Sequence, residues 1–532
     1  MKIIPKINGQ QVIHDSEFQI PNVLTIYGEK FSDDSIAVFT ERLERTISIK
    51  VKNVNSLQEA TVRFEKDESI LVNGYKVEVT DRTITLFSAD EIGMKHALTT
   101  LFVMIVEGEK TNNRIIRSTT FSDVPKYTHR GLLVDVSRHF FTIDVMKSIV
   151  EEMSRNKLNI LHWHLTDDQG WRIQSEVYPN LTKYGEFYTK QEIRDFVQYA
   201  RARGVEVIPE IDLPGHTSAM LAAYPELSCF GEHVSIKDGP GVYKTVLCAG
   251  SEKTITFLKQ LLDELVELFP SKRFHIGGDE VPRKNWETCP TCQALMEKEQ
   301  IPNYDDLQYN FTKQIKDHLE TYGVEVICWN ETLRANGVKE DLISQYWVDF
   351  TPEQKAKEYI ENGQPVIFSD LFACYFDYPY AMVPLRKTYE YEPTARLQAI
   401  NTLGIEGAIW TERVPTPDVL SEMISPRIQA LAEAAWTFER NYEEFLDRLK
   451  ANMDELQLVT LRGSTFEKAT ISGEEAFQEA KQFLLYMFQM MQSGEVEMEL
   501  APAEQQHMLS HFLNGFFNEE QAKRFLSELG GV

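Results

Sequence analysis

Cysteine is scarce, with six residues (Cys229, Cys248, Cys289, Cys292, Cys328 and Cys374) in a chain of 532. That is too few for a disulfide scaffold. Cys289-Pro-Thr-Cys292 offers two zinc ligands, but a structural site needs four and no second CxxC exists, so these read as ordinary loop thiols. Cys229 and Cys248 bracket a glycine-rich loop and are placed to bridge if oxidised. No run of eighteen apolar residues occurs, which argues against a transmembrane helix. Met1–Lys6 lacks the apolar core of a signal peptide; the expected location is the cytoplasm unless processing precedes this sequence, and the sequons at Asn180, Asn310 and Asn330 carry little weight. Basic residues are outnumbered, 55 against 81 acidic, for a net charge of -26. Such a balance argues against nucleic acid and an anionic membrane as partners and favours solubility. The glycine fingerprint of a dinucleotide-binding sheet is missing too.

What is present divides into three parts. Residues 1–122 read as a small α+β domain. Ala60–Phe64 and Tyr75–Val79 alternate as strands, Thr83–Phe87 follows a turn, and Glu91–Val106 carries an apolar helical face. Pro125 marks a boundary. Over residues 123–440 short apolar strands alternate with helical or loop stretches: Gly131–Val136, Asn159–Leu165, Val205–Ile211, Arg273–Ile276, Val324–Trp329, Leu342–Trp347, Pro365–Phe368 and Ile405–Trp410. The intervening helices include Ile143–Lys157, Lys190–Arg203, Thr254–Leu268 and Leu307–Tyr322. Eight such β-then-α units describe an α/β fold of the (β/α)8 TIM barrel type. Residues 441–532 are a helical C-terminal region; 474–491 and 504–529 are amphipathic and either pack on the barrel or form a homodimer contact.

A barrel places its chemistry where strands end. Asp135, Arg138, His162, His164, Asp167, Asp168, Glu210, Asp212, Asp279, Glu280, Trp329, Trp347, Asp370, Trp410 and Glu412 all fall there, and a barrel core needs none of them. The most informative stretch is His275-Ile-Gly-Gly-Asp279-Glu280, a strand that stops at two glycines and delivers adjacent carboxylates. Asp-Glu alone reads as a charged turn; with the rest of the rim it reads as a catalytic pair. Adjacent acids repel, so one pKa of the pair is expected to rise, which suits acid catalysis of glycoside cleavage.

Four motifs carry a resemblance to the β-N-acetylhexosaminidases of glycoside hydrolase family 20, over residues 20–440. They are Arg130-Gly-Leu-Leu-Val-Asp-Val-Ser-Arg138-His-Phe, Leu161-His-Trp-His-Leu-Thr-Asp167-Asp168-Gln-Gly-Trp171-Arg172, Pro209-Glu-Ile-Asp212-Leu-Pro-Gly-His216, and the Asp279-Glu280 stretch. The resemblance implies that Glu280 is the general acid and that the nucleophile is the substrate's own 2-acetamido oxygen, held by an ionised Asp279 and by Tyr375. It implies Arg138 on the 3- and 4-hydroxyls, with Trp329, Trp347 and Trp410 walling the sugar. Asp377 and Glu412 would serve the 4- and 6-hydroxyl region, Trp410 and Glu412 facing the same way in an extended segment. Asp168 and His216 resemble a pair behind the acid, while Asp135, Glu210 and His275 orient neighbours. No cofactor and no metal is implied. The expected reaction is exo-removal, with retention, of terminal β-linked GlcNAc and conceivably GalNAc from an oligosaccharide or glycoside. Three rivals remain: a lacto-N-biosidase-like enzyme releasing a disaccharide, a retaining glycosidase with a protein nucleophile, and a silent carbohydrate-binding protein.

Overall fold

The computed structural model describes residues 1–28, 33–111, 113–336, 338, 342–348, 355–395, 397–493 and 502–529. Eight parallel strands close a barrel, here β1 (His129–Asp135), β2 (Ile160–His164), β3 (Glu206–Glu210), β4 (Arg273–His275), β5 (Glu325–Trp329), β6 (Ile343–Tyr346), β7 (Val366–Phe368) and β8 (Thr402–Ile409). β8 pairs with β1 from Gly404 and His129 to Ile409 and Val134, which shuts the sheet on itself. All eight segments expected to be strands are barrel strands. The four expected helices form as Ile143–Arg155, Lys190–Ala202, Glu252–Val266 and Tyr304–Glu320.

Side chains facing the helices make the main core, among them Leu132, Leu161, Val207, Phe274 and Val326. One end of the lumen is filled by Ile160, Ile208, Ile327, Ile343 and Ile367. Above that apolar floor the lumen turns polar: Glu406 sits 2.7 Å from His129 Nε2 and 2.8 Å from His162 Nδ1, and it accepts from Gln345 Nε2 at 2.7 Å. Burial opposes charge on Glu406, but the two histidines hold its carboxyl well below the usual range. The apolar floor supports a charged layer at the rim.

The preceding domain is a seven-stranded mixed sheet in which Ile115–Asp123 lies between Val12–Gln19 and Tyr75–Val79. Helix Glu91–Glu109 packs on that sheet and is capped by Asp90, which accepts from Gly93 N. Buried ion pairs join it to the barrel: Arg42 Nε donates to Glu151 at 2.9 Å, and Lys157 Nζ lies 3.4 Å from Asp123 Oδ2.

Of the two fates offered for the C-terminal helices, packing on the barrel is observed. Phe477, Leu484, Leu513 and Phe525, from Gly473–Ser493, Pro502–Phe516 and Glu519–Leu529, share an apolar cluster with Leu371, Phe372, Tyr375 and Tyr378. The stretch 504–529 is broken into two helices because Asn518 restarts the chain, its Oδ1 accepting from Gln521 N at 2.9 Å.

Candidate active site

β4 ends at His275, and after Ile276 two glycines adopt positive φ, Gly277 at 67° and Gly278 at 101°. A Cβ on Gly277 would lie 1.7 Å from Asp212 Oδ1, and one on Gly278 would lie 2.6 Å from Thr332 Oγ1. These glycines are therefore required twice over, for conformation and for space. Gly278 N donates to Asp212 Oδ1 at 3.2 Å and Gln308 Nε2 donates to Gly278 O at 2.8 Å, so the turn is held on both sides. It presents Glu280, itself at φ 48°, with its side chain 36% exposed, and Asp279 with 13%. Gly277→Ala is expected to cost more than about 3 kcal/mol through overpacking and strain. Urea unfolding of the purified variant measures this, and an unchanged midpoint would refute the close approach.

Behind the pair, His216 stands at φ 52° after a Pro-Gly turn. Its Nε2 lies 3.5 Å from Glu280 Oε2 and 3.9 Å from Asp279 Oδ2. Its Nδ1 lies 3.2 Å from Asp167 Oδ1 and 3.4 Å from Asp168 Oδ2. Burial works against its charge, but Asp167 and the other carboxylates win and raise its pKa well above the ordinary value. Asp168 is anchored in turn by Ser218, whose N and Oγ donate to Oδ1 at 2.9 and 2.5 Å. Asp167 was assigned no role from sequence, yet it bridges the site, since its Oδ2 takes Arg138 Nη2 at 2.7 Å and His164 Nε2 at 3.0 Å.

The expected rise in the acid pair falls on Asp279, which the sequence reading kept ionised. Burial, with Glu280 and Glu210 nearby, pushes Asp279 up to about 6 against the opposing pull of His216. Asp212 is raised as well, by burial and then by Asp279.

Glu210 closes the floor of the site. Its Oε1 lies 2.9 Å from His275 Nδ1 and accepts from Trp329 Nε1 at 2.9 Å, and its Oε2 lies 2.5 Å from His164 Nδ1. Those three contacts tie β2, β3, β4 and β5 at one level, consistent with the register that sets Glu210 opposite both His164 and His275. Asp135 does the same at the β8–β1 seam: Oδ1 accepts from Ser137 N and Arg138 N, and Oδ2 accepts from Thr411 N and Oγ1.

The wall is aromatic. Trp347 stacks at 17° on Tyr375, centroids 6.0 Å apart, and Trp410 lies 6.2 Å from Tyr375 and 5.9 Å from Trp329. The Arg138 guanidinium lies 5.0 Å from the Trp410 ring centre. Trp329 is buried, whereas Trp347 and Trp410 remain half-buried. Burial pushes Tyr375 well above the ordinary phenol range, keeping its hydroxyl a donor. Glu412 departs from expectation. β8 stops at Ile409, because Asp135 captures Thr411, and Glu412 occupies a turn rather than an extended segment with Trp410. Asp377 is buried, pushed up to about 7 by burial despite Arg413 Nη2 at 4.0 Å. Glu331 was missed by the sequence reading. Its carboxylate accepts from Trp347 Nε1 at 3.1 Å, and burial first, then Asp279, raises it to about 8. Its signal was position: it follows Trp329 by two residues at a strand end.

The sequence model for the glycosyl hydrolase family 20 catalytic domain matches residues 127–439. The chain belongs to this family. The family's domain 2 matches residues 1–124. A beta-hexosaminidase of Porphyromonas gingivalis is 31% identical over 416 residues, 71% of this chain and 52% of that protein. One from Vibrio furnissii is 33% identical over 398 residues, 67% of this chain and 64% of its own length. The matched stretch thus falls short of two thirds of either relative. Among solved structures, the beta-N-acetylhexosaminidase of Bacteroides fragilis aligns with TM-score 0.79 at 28% identity, covering 87% of this chain and 96% of that one. The family 20 exo beta-N-acetylglucosaminidase of Vibrio harveyi, in complex with N-acetylglucosamine, aligns with TM-score 0.77 at 27% identity over 87% and 78% of the two chains.

Proposed function

We propose that the protein is a retaining exo-β-N-acetylhexosaminidase that removes terminal β-linked GlcNAc, with GalNAc as a second candidate sugar, from an oligosaccharide or glycoside. The observation that carries this reading is the continuous chain from Arg138 through Asp167 and His216 to Asp279 and Glu280, facing the Trp347–Tyr375–Trp410 wall. Arg138, neutralised on one edge by Asp167 and packed on Trp410, turns its fork to vicinal hydroxyls. Tyr375 donates to the acetamido carbonyl and Asp279 accepts from its N–H, so the acetamido oxygen is aimed at the anomeric carbon. Glu280, the more exposed acid, protonates the leaving oxygen; attack closes an oxazolinium ring with loss of the aglycone. Glu280 then takes a proton from water, which attacks the anomeric carbon from the face the aglycone left, opposite the ring, so that two inversions retain configuration. Family 20 is among the exceptions to the two-carboxylate retaining scheme for this reason. Both Asp168, which holds Ser218 and His216, and Glu210 act as positioning groups.

A single-sugar pocket is favoured over disaccharide release by the covered side of the rim. Asp377 lies behind Arg413, whose guanidinium sits 5.1 Å from the ring centre of Phe483 in the C-terminal helices. A cytoplasmic setting, in which six thiols stay reduced, and a homodimer through the exposed Tyr486 and Leu526 complete the proposal. Sedimentation of the purified chain tests the latter, a monomer at all concentrations removing it.

Paired p-nitrophenyl β-glycosides of GlcNAc, GalNAc, glucose and lacto-N-biose test the activity. Hydrolysis of GlcNAc with glucose untouched is the expected result; release from lacto-N-biose alone would replace it with the disaccharide reading. The pH profile follows from Asp279. A carboxyl raised to about 6 is protonated below that pH and loses the negative charge that offsets the oxazolinium, so kcat/KM is expected to fall on the acid side of about 6. An acid limb near the ordinary carboxylate value of about 4 would contradict this.

A further inference from the structure

The single CxxC of this chain is not alone in the fold. Cys229 and Cys248, on the loop after β3, meet Cys289 and Cys292, on the loop after β4, with all four sulfurs within 4.8 Å of one another. Cys248 Sγ lies 3.7 Å from both Cys289 Sγ and Cys292 Sγ. A tetrahedral Zn–S4 site with bonds of about 2.3 Å has sulfur–sulfur edges of about 3.8 Å, whereas a disulfide needs about 2.05 Å. Cys248, Cys289 and Cys292 are buried. The backbone is built to bring them together. A Cβ on Gly250 would lie 2.7 Å from Cys292 Cα and 2.5 Å from Thr291 O, so only glycine allows that approach. Cys289 caps helix Pro290–Glu299 and Cys292 lies in its first turn, where free amides favour thiolate over thiol.

We propose that Cys229, Cys248, Cys289 and Cys292 form a structural zinc site. Binding exchanges four S–H protons for four Zn–S bonds, so the site carries a net charge of about −2 and releases protons as it fills. Reading this stretch as ordinary loop thiols missed it because the second half of the ligand set is spaced nineteen residues apart rather than as a CxxC. The metal would fasten two loops that carry the acid machinery. Leu247 N, beside Cys248, donates to Pro214 O at 3.0 Å, two residues before His216. Trp286 Nε1, six residues after Glu280, donates to Leu247 O at 2.9 Å. The site is remote from the sugar pocket in role, and its existence does not depend on the substrate proposed above.

The test is the metal content of the full chain, expressed without a chelating tag and dialysed against EDTA. About one zinc per chain is expected, released by a mercurial and detected with a chromogenic chelator. Cys292→Ser is expected to lower that content below about one tenth, while Cys328→Ala, on β5, retains it. If Cys292→Ser does not fold, the wild-type content and the fall in Tm on mercurial extraction decide. A chain that holds no zinc, and takes up none after reduction and zinc addition, overturns the site. So does iron in place of zinc, or a disulfide among the four cysteines in protein prepared under reducing conditions.

Discussion

Glu280→Gln is expected to cut kcat on the order of 10³-fold for a sugar or alkyl aglycone, and by less than about tenfold for a p-nitrophenyl or dinitrophenyl leaving group. The difference arises because an activated phenol departs without a proton, whereas an alkoxide does not. The structure sharpens the expectation. Glu280 is held in a strained positive-φ turn and touched by His216 Nε2 at 3.5 Å, so glutamine retains the shape and loses only the proton. Steady-state rates on paired substrates decide the matter. Equal losses on good and poor leaving groups would remove Glu280 from the role of acid.

Asp279→Asn is expected to lower kcat by on the order of 10²–10³-fold while KM changes little. An amide still fills the space, but it cannot offset the positive charge that grows on the oxazolinium ring. The interaction is therefore lost in the transition state more than in the ground state. The burial that raises Asp279 to about 6 marks a site where a carboxylate is costly when empty and gains most from a cationic intermediate. A large rise in KM with kcat intact would mean that Asp279 merely binds the substrate.

Much of this was legible in the sequence, for identifiable reasons. Each barrel strand is an apolar run that ends in polar or aromatic residues, so all eight were visible, and helix ends moved by only a few positions. In the first domain Val12–Gln19 was not visible, because its side chains are almost all exposed and carry no alternation; its partner Ile115–Asp123 defines it. Helix Asp33–Ile47 and the short strand Lys50–Asn53 escaped similarly, and the latter is a sheet-edge element with little buried surface. In the site, residues inside long motifs were readable, but the partner each chose was not. Asp167 rather than Asp168 links Arg138 to His216, and that choice is set by the hairpin Thr166–Asp167 with Gly170–Trp171. Glu331 and Arg413 act from separate loops with no motif of their own. The four-cysteine cluster lay beyond sequence spacing for the same reason: closure of the barrel, not the chain, makes its neighbours.

The most direct measurement is kcat/KM across a series of aryl 2-acylamido-2-deoxy-β-glucosides in which the acetyl methyl carries none, one, two or three fluorines. Fluorine drains electron density from the carbonyl oxygen and hardly changes its size. If that oxygen is the nucleophile, aligned by Tyr375 and Asp279, the rate falls steeply and monotonically along the series. A flat series would mean that a protein group or water attacks instead, and substrate-assisted catalysis by this chain would be wrong.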